Sequence, residues 1–441
     1  MVKIQKQLST SQIIILGFAA VILLGSLLLM LPVSTADGQV TPFGDALFTA
    51  TSAVCVTGLI VRDTATYWST FGQTVILALI QIGGMGVVTV AVAIFSAAGN
   101  KISLKQRSTM QEAISAPQVG GIVRLTGFII RITAIFELLG AVVMAPVFCG
   151  EFGIVKGLWY SVFHSISAFC NAGFDLMGVR EPYSSLTYFS THPIINLAVM
   201  ALIVTGGIGF LVWDDVRTNK LHVRKYKMQS KVVLTVSGLL ILFPALYFFF
   251  FEFGQAPLGE RVWNALFQTV TTRTAGFNTA DLTALSETGM AVMVILMLVG
   301  GSPGSTAGGM KTTTLAVLFS TAVSVFRRKE HTHFFGRRLE EETVRNAATI
   351  LTMYLTLFLC GGFIISRVEG LPLLTCLFET ASAVGTVGLT LGVTPQLGLL
   401  SRSILIALMY LGRVGGLTLI FATLSRQDNA ARLPQEKLTV G

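Results

Sequence analysis

Four short stretches of the chain carry one pattern. From Phe48 the sequence reads F-T-A-T-S-A-V-C-V-T-G-L, and from Phe163 F-H-S-I-S-A-F-C-N-A-G-F. From Phe267 it reads F-Q-T-V-T-T-R-T-A-G-F, one residue shorter, and from Phe378 F-E-T-A-S-A-V-G-T-V-G-L. Each contains a closing glycine (Gly58, Gly173, Gly276, Gly388), at intervals of 115, 103 and 112 residues. Four copies at one period mean four copies of one structural unit. Glycine accepts positive φ without a Cβ clash, so backbone there can turn successive carbonyl oxygens to one side. Rings of carbonyls replace the hydration shell of a monovalent cation. Short helices whose C-terminal ends aim at the same spot add partial negative charge. The chemistry is cation coordination by backbone oxygens, with no catalytic side chain required.

The elements that position these stretches follow from composition. Of 441 residues, 53% are hydrophobic and 12% charged, and the mean hydropathy is +0.73. A soluble domain carries about a quarter charged residues, so a disordered chain, a disulfide scaffold and a soluble globular enzyme are excluded. Eight stretches have the length of roughly 20 apolar residues that a membrane helix needs: 13–33, 72–98, 128–148, 193–213, 232–251, 289–326, 348–366 and 401–424. The first follows Lys3 and Lys6 but is too long for a signal peptide and lacks a cleavage site, so it reads as a span. Between the members of each pair lies one patterned stretch, at 46–54, 157–169, 262–272 and 373–384. These are too short to cross and read as re-entrant segments.

Charge sets the orientation. Of 31 Lys and Arg, 21 lie at the termini or in segments 101–124, 217–231 and 327–345, the junctions between units. The positive-inside rule puts both termini and every junction in the cytoplasm of a multi-pass protein of the cell membrane. The net charge of +9 is then a consequence of topology, and nucleic-acid binding is unnecessary. If the short stretch crossed the bilayer, alternate units would be inverted and basic junctions would change sides. They do not, which also separates the chain from inverted-repeat transporters. The expected fold is an all-α membrane protein with four parallel span–pore helix–span repeats in a pseudo-fourfold arrangement around one central pore. The repeats are residues 1–100, 101–225, 226–346 and 347–441.

Other chemistry finds little support. The five cysteines are scattered without a CxxC, and the histidines form no HExxH, so zinc and a disulfide framework are excluded. His331 and His333 read as a solvated loop. The sixth span is interrupted by Gly300, Gly301, Ser302, Pro303, Gly304, Ser305, Thr306, Ala307, Gly308 and Gly309, with Lys311 just beyond. Its spacing fails the Walker A motif. Proline and clustered glycines cannot continue a helix. The segment is either a packed kink or a mobile loop that blocks conduction below the filter. Arg413 stands mid-span in Y-L-G-R-V-G-G-L. A central arginine costs about 2.5–3.5 kcal/mol, so it faces the interior. It is either a positive charge at the pore that pairs with the loop or the partner of Glu137 or Glu379.

The motifs V-C-V-T-G-L at 54–59, C-N-A-G-F at 170–174, T-T-R-T-A-G-F at 271–277 and G-T-V-G-L-T at 385–390 together resemble the Trk/Ktr/HKT superfamily of potassium transport proteins, most closely the Ktr membrane subunit. The resemblance runs from Ser11 to Leu424. It implies that each loop supplies a quarter of a K+ filter: Cys55, Val56, Thr57 and Gly58; Cys170, Asn171, Ala172 and Gly173; Arg273, Thr274, Ala275 and Gly276; Gly385, Thr386, Val387 and Gly388. Glycine in all four loops fits K+-selective members. The resemblance also implies an intramembrane gate at 300–309 and an arginine at the place of Arg413. A guanidinium aimed into a cation filter would repel K+, so Arg273 should turn away and bond carbonyls behind it. Asp175 and Asn278 follow two filter glycines and either concentrate cations at the mouth or cap the loop. Glu137 is expected to be the buried partner of a basic residue.

Function follows as gated K+ uptake driven by membrane potential, which supplies about 2.3 kcal/mol per charge per 100 mV. A symporter coupling K+ to Na+ or H+ is the alternative; the spans lack the carboxylate ladder it calls for. K+ is the transported ion, Na+ a second candidate ion, and no organic cofactor is expected. The resemblance implies a membrane homodimer above a cytoplasmic ring of nucleotide-binding RCK subunits. The basic loops 214–231 and 326–346 and the C-terminal tail are available for docking, or for contact with anionic lipid.

Overall fold

The computed structural model describes residues 9–97, 103–114, 121–220, 222–415 and 418. Lys3, Lys6, Lys101 and the basic residues of the C-terminal tail, Arg426, Arg432 and Lys437, lie outside the described residues. The helices run in order α1 (Thr10–Leu29), α2 (Phe43–Val54), α3 (Thr70–Met85), α4 (Val87–Ala97), α5 (Leu104–Ile114), α6 (Ile122–Phe152), α7 (Ile154–Phe169), α8 (Pro193–Ile208), α9 (Phe210–Asn219) and α10 (Met228–Tyr247). There follow α11 (Leu258–Thr271), α12 (Glu287–Leu298), α13 (Thr312–Phe326), α14 (Glu341–Glu369), α15 (Leu373–Gly385) and α16 (Leu399–Val414). A small antiparallel hairpin pairs His333–Phe334 with Arg337–Arg338.

Each patterned stretch forms a short helix, α2, α7, α11 or α15, set between a long helix and a returning one. Proline starts three of them: Pro42, Pro257 and Pro372 stand at the N-cap with φ near −55°. Its fixed φ suits a helix start, and its missing N–H would have had no partner there. The phenylalanines that open the four patterns, Phe48, Phe163, Phe267 and Phe378, are all completely buried. The outer helices show the opposite distribution. Leu23, Leu24 and Leu27 of α1, and Leu138, Leu139 and Val142 of α6, are exposed. Apolar side chains facing outward around a core of short helices with many hydroxyls is the arrangement of a protein solvated by lipid.

Among the described residues four helices are long and apolar enough to cross a membrane: α1, α6, α10 with its continuation to Glu252, and α14. The returning helices differ from the straight spans expected at 72–98 and 193–213. α3 and α4 meet at 98°, and α8 and α9 at 92°. The cause is local: Gly86 and Gly209 adopt φ of +87° and +102°, which no helix contains. Gly415 ends α16 in the same way, with φ +89°. The sixth expected span is two helices, α12 and α13, separated by an irregular segment. α5 was not expected at all, and α14 begins six residues ahead of the boundary drawn after residue 346.

The basic junctions lie together. Arg217 of α9 stacks 5.2 Å from the ring of Phe128, near the start of α6. Lys231 at the start of α10 lies 6.0 Å from the ring of Phe335 in the hairpin turn. Segments 217–231 and 327–345 therefore lie against each other, and Arg217 lies beside the start of α6.

Candidate functional site

The backbone after each short helix repeats one conformation. Val56, Asn171, Thr274 and Thr386 have φ of 57°, 59°, 68° and 52°. Two residues later Gly58, Gly173, Gly276 and Gly388 have φ of 94°, 69°, 79° and 96°. The residue between has ordinary negative φ. Successive carbonyls of an extended chain point to opposite sides; inverting every second residue brings them to the same side. Among the described residues, four of the nine non-glycine residues with positive φ sit at this one position. Such residues cost of order 1–3 kcal/mol each and persist where the surroundings over-determine them.

The four loops close on one another. A Cβ built on Gly58 would stand 2.5 Å from the carbonyl oxygen of Ala172, and one on Gly173 2.6 Å from that of Ala275. One on Gly276 would meet the Val387 oxygen and one on Gly388 the Thr57 oxygen, closer still. The succession runs first loop to second, third, fourth and back to first. All four glycines line a single cavity of about 330 Å³, walled also by Asp175, Tyr183, Asn278, Asp281 and Gln396. Beneath the loops lies a second cavity of about 250 Å³, lined by Gly84, Glu112, Ser305, Lys311, Tyr354 and Arg413. The two cavities share no lining residue.

The segment 300–311 fills the ground between the ring and the lower cavity. Val299 and Met310 pair across its base, with Gly300 N donating to Met310 O at 2.7 Å. Its tip is held by the second unit: Ser302 N donates to Gly207 O (3.0 Å), Thr306 Oγ1 to Phe169 O (3.0 Å), and Phe210 N to Gly304 O (2.7 Å). On the other side Gly309 lies so close to the fourth loop that a Cβ would come within 2.8 Å of Gly385 O, and one on Gly308 would strike the hydroxyl of Thr386. Lys311 Nζ donates to Ala307 O at 2.8 Å. Irregular backbone at this depth survives because neighbours satisfy its polar groups.

Arg413 of α16 ties together two segments far from it in sequence. It donates to Thr306 O in the irregular segment, to Gly83 O at 2.5 Å and to Gly84 O at 3.3 Å. The carboxylate partners considered for it are elsewhere. Glu379 accepts from Thr390, Thr394 and Leu391 N. Among the described residues Glu137 has no basic partner; its polar neighbours are Gln81 and Cys170. Arg413 instead uses carbonyls at the C-terminal end of α3, where the bend at Gly86 ends the regular ladder and Gly83 O accepts the Gly86 N–H at 3.1 Å as well as the guanidinium.

Arg273 is buried and donates to Ser237 O of α10 at 3.3 Å. Asp175 accepts from Met177 N at 2.9 Å as a local cap while lining the upper cavity. Asn278 lines it too, and its backbone N–H is bonded to Ser185. One set of residues escaped the sequence reading. Gly83, Gly206 and Gly412 lie against the carbonyls that end α2, α7 and α15, those of Val54, Phe169 and Val384, where a Cβ has no room. Small residues let backbones approach closely in membrane proteins. The signal was present as G-G-M-G at 83–86, G-G-I-G at 206–209 and G-R-V-G at 412–415, with Arg413 standing where two units have glycine.

Comparison with known proteins agrees with this geometry. The sequence model of the TrkH family, described as cation transport protein, matches residues 4–433. The chain is 39% identical to the potassium/sodium uptake protein NtpJ of Enterococcus hirae, over 100% of this chain and 99% of that protein. It is 37% identical to the Ktr system potassium uptake protein B of Bacillus subtilis, over 98% and 96%. Among solved structures, the potassium transporter TrkH of Vibrio parahaemolyticus superposes with a TM-score of 0.75 at 20% identity, covering 95% of this chain and 86% of that one. That likeness establishes the shared fold. The bent returning helices, the ring of glycine loops and the matching family model lead to one conclusion: the chain belongs to the TrkH family of cation transport proteins and is a membrane transporter, not an enzyme.

Proposed function

We propose that the protein is the K+-translocating subunit of a potassium uptake system. Its four like-oriented units surround one pseudo-fourfold axis, and K+ passes through a filter of backbone oxygens at Cys55–Gly58, Cys170–Gly173, Arg273–Gly276 and Gly385–Gly388. The observation that carries the reading is the closed succession of loops with alternating positive φ between two cavities. Carbonyl dipoles and the C-terminal ends of α2, α7, α11 and α15 favour a cation there. The relatives named for potassium uptake support K+ as the ion. The segment 300–311 acts as the gate, closed by Arg413 across Thr306 O and Gly83 O.

The Enterococcus relative is named for potassium and sodium uptake, so Na+ is the ion against which coupling or selectivity is to be measured. Relatives named as parts of a Ktr system support a multi-component assembly. In this reading the subunit is a homodimer with cytoplasmic termini, its basic junctions meeting RCK-type nucleotide-binding subunits and anionic lipid. K+ and Na+ uptake into cells lacking their own K+ uptake tests it. Expression should restore growth at low K+. Folded protein that carries no K+ would reject the reading.

A further inference from the structure

We propose that four hydroxyls on the buried ends of the short helices, Ser52, Ser167, Thr271 and Ser382, set the direction of the filter carbonyls and so the ion preference of the path. The proposal rests on the filter reading above. All four residues are completely buried. Each uses its own carbonyl to accept the N–H of the residue before the filter glycine: Thr57 N to Ser52 O at 2.8 Å, Ala172 N to Ser167 O at 2.8 Å, Ala275 N to Thr271 O at 2.9 Å, and Val387 N to Ser382 O at 2.8 Å. In a trans peptide the N–H and C=O point opposite ways. Holding the N–H back against the helix turns the preceding carbonyl forward.

The hydroxyls then act in two ways. Ser52 and Ser382 accept the N–H of Gly58 and Gly388, each at 3.0 Å, which turns the Thr57 and Val387 carbonyls forward as well. Ser167 and Thr271 instead donate to the carbonyls of Phe174 (2.7 Å) and Phe277 (2.5 Å). Those oxygens follow the glycine, and the bond draws them back out of the ring. The third stretch is one residue shorter than the rest, yet a hydroxyl is kept at this contact. Its position follows the filter and not the helix count. Other buried hydroxyls on the same helices serve their own helix: Thr49 bonds Asp45 O and Ser161 bonds Gly157 O.

The test measures the K+ to Na+ uptake ratio of the full chain in proteoliposomes at equal protein content. Ser52→Ala and Ser382→Ala leave a buried glycine N–H unpaired, and the ratio should fall by about tenfold, the size of one lost buried hydrogen bond. Ser382→Thr keeps the hydroxyl and should keep the ratio. Thr49→Val and Ser161→Ala should leave it unchanged. Thr271→Val preserves side-chain shape, so it reads the same effect if the alanine variants fold poorly. A normal ratio in folded Ser382→Ala or Thr271→Val overturns the proposal. Gly276→Ser is run alongside: a changed ratio there with silent hydroxyl variants removes only the hydroxyl role, whereas silence in both removes the filter reading itself.

Discussion

Replacing Gly173 by serine puts two separate strains on the proposed filter. Its φ of +69° is a left-handed conformation, which costs a residue with a Cβ roughly 1–2 kcal/mol. The new Cβ would also stand 2.6 Å from Ala275 O and 2.8 Å from Gly276 Cα. Ordinary contact begins at 3.4 Å, so the third loop must retreat by about 0.8 Å or the second must give up its conformation. Either response moves a coordinating oxygen. A differential cost of about 1.4 kcal/mol corresponds to tenfold, and the K+ to Na+ uptake ratio should fall by about that factor or more. Uptake of both ions into proteoliposomes, normalised to folded protein, measures it. Gly259→Ser is the matched control, since nothing lies within 4 Å of a Cβ there. Folded Gly173→Ser with an unaltered ratio would refute the reasoning, because the crowding at that position admits no silent substitution in an intact filter.

The same logic extends to Gly276→Ser and Gly388→Ser, whose Cβ atoms would press on Val387 O and Thr57 O; both should erode K+ preference in the same flux measurement. Deleting residues 302–308 removes the segment between ring and lower cavity, and basal K+ flux should rise. Arg413→Ala releases Thr306 O and Gly83 O, so basal flux should rise with normal amounts of folded protein; a loss of folded protein at unchanged flux per molecule would mark a structural role. Purification from membranes without stripping should retain a nucleotide-binding partner, and charge reversal in 217–231 and 327–345 should lower its yield.

The four glycine loops were legible because their conformation requires a residue type at a fixed place. Only glycine tolerates φ near +90° beside a neighbouring backbone, so Gly58, Gly173, Gly276 and Gly388 announce themselves by recurrence. The long helices were legible from hydropathy, and α1, α6, α10 and α14 stand close to the expected spans. The bends were not. Hydropathy is blind to φ, and α3–α4 and α8–α9 read as continuous apolar runs although one glycine in each turns the chain through 92–98°. That omission carried a second one. Arg413 was expected to find a carboxylate or the gate loop, because the carbonyls of Gly83 and Gly84 become available to a side chain only once α3 ends at Gly86. The roles of Ser52, Ser167, Thr271 and Ser382 were equally hidden. The repeat shows a hydroxyl in each copy, but which backbone group it bonds depends on loop geometry that no spacing encodes.

Crystals of the protein grown with Rb+ in place of K+ and measured at the rubidium absorption edge test the central claim most directly. The account predicts an anomalous peak enclosed by the carbonyl oxygens of Thr57, Ala172, Ala275 and Val387, between the two cavities. Strong rubidium signal elsewhere in the molecule, with none inside that ring, would contradict it.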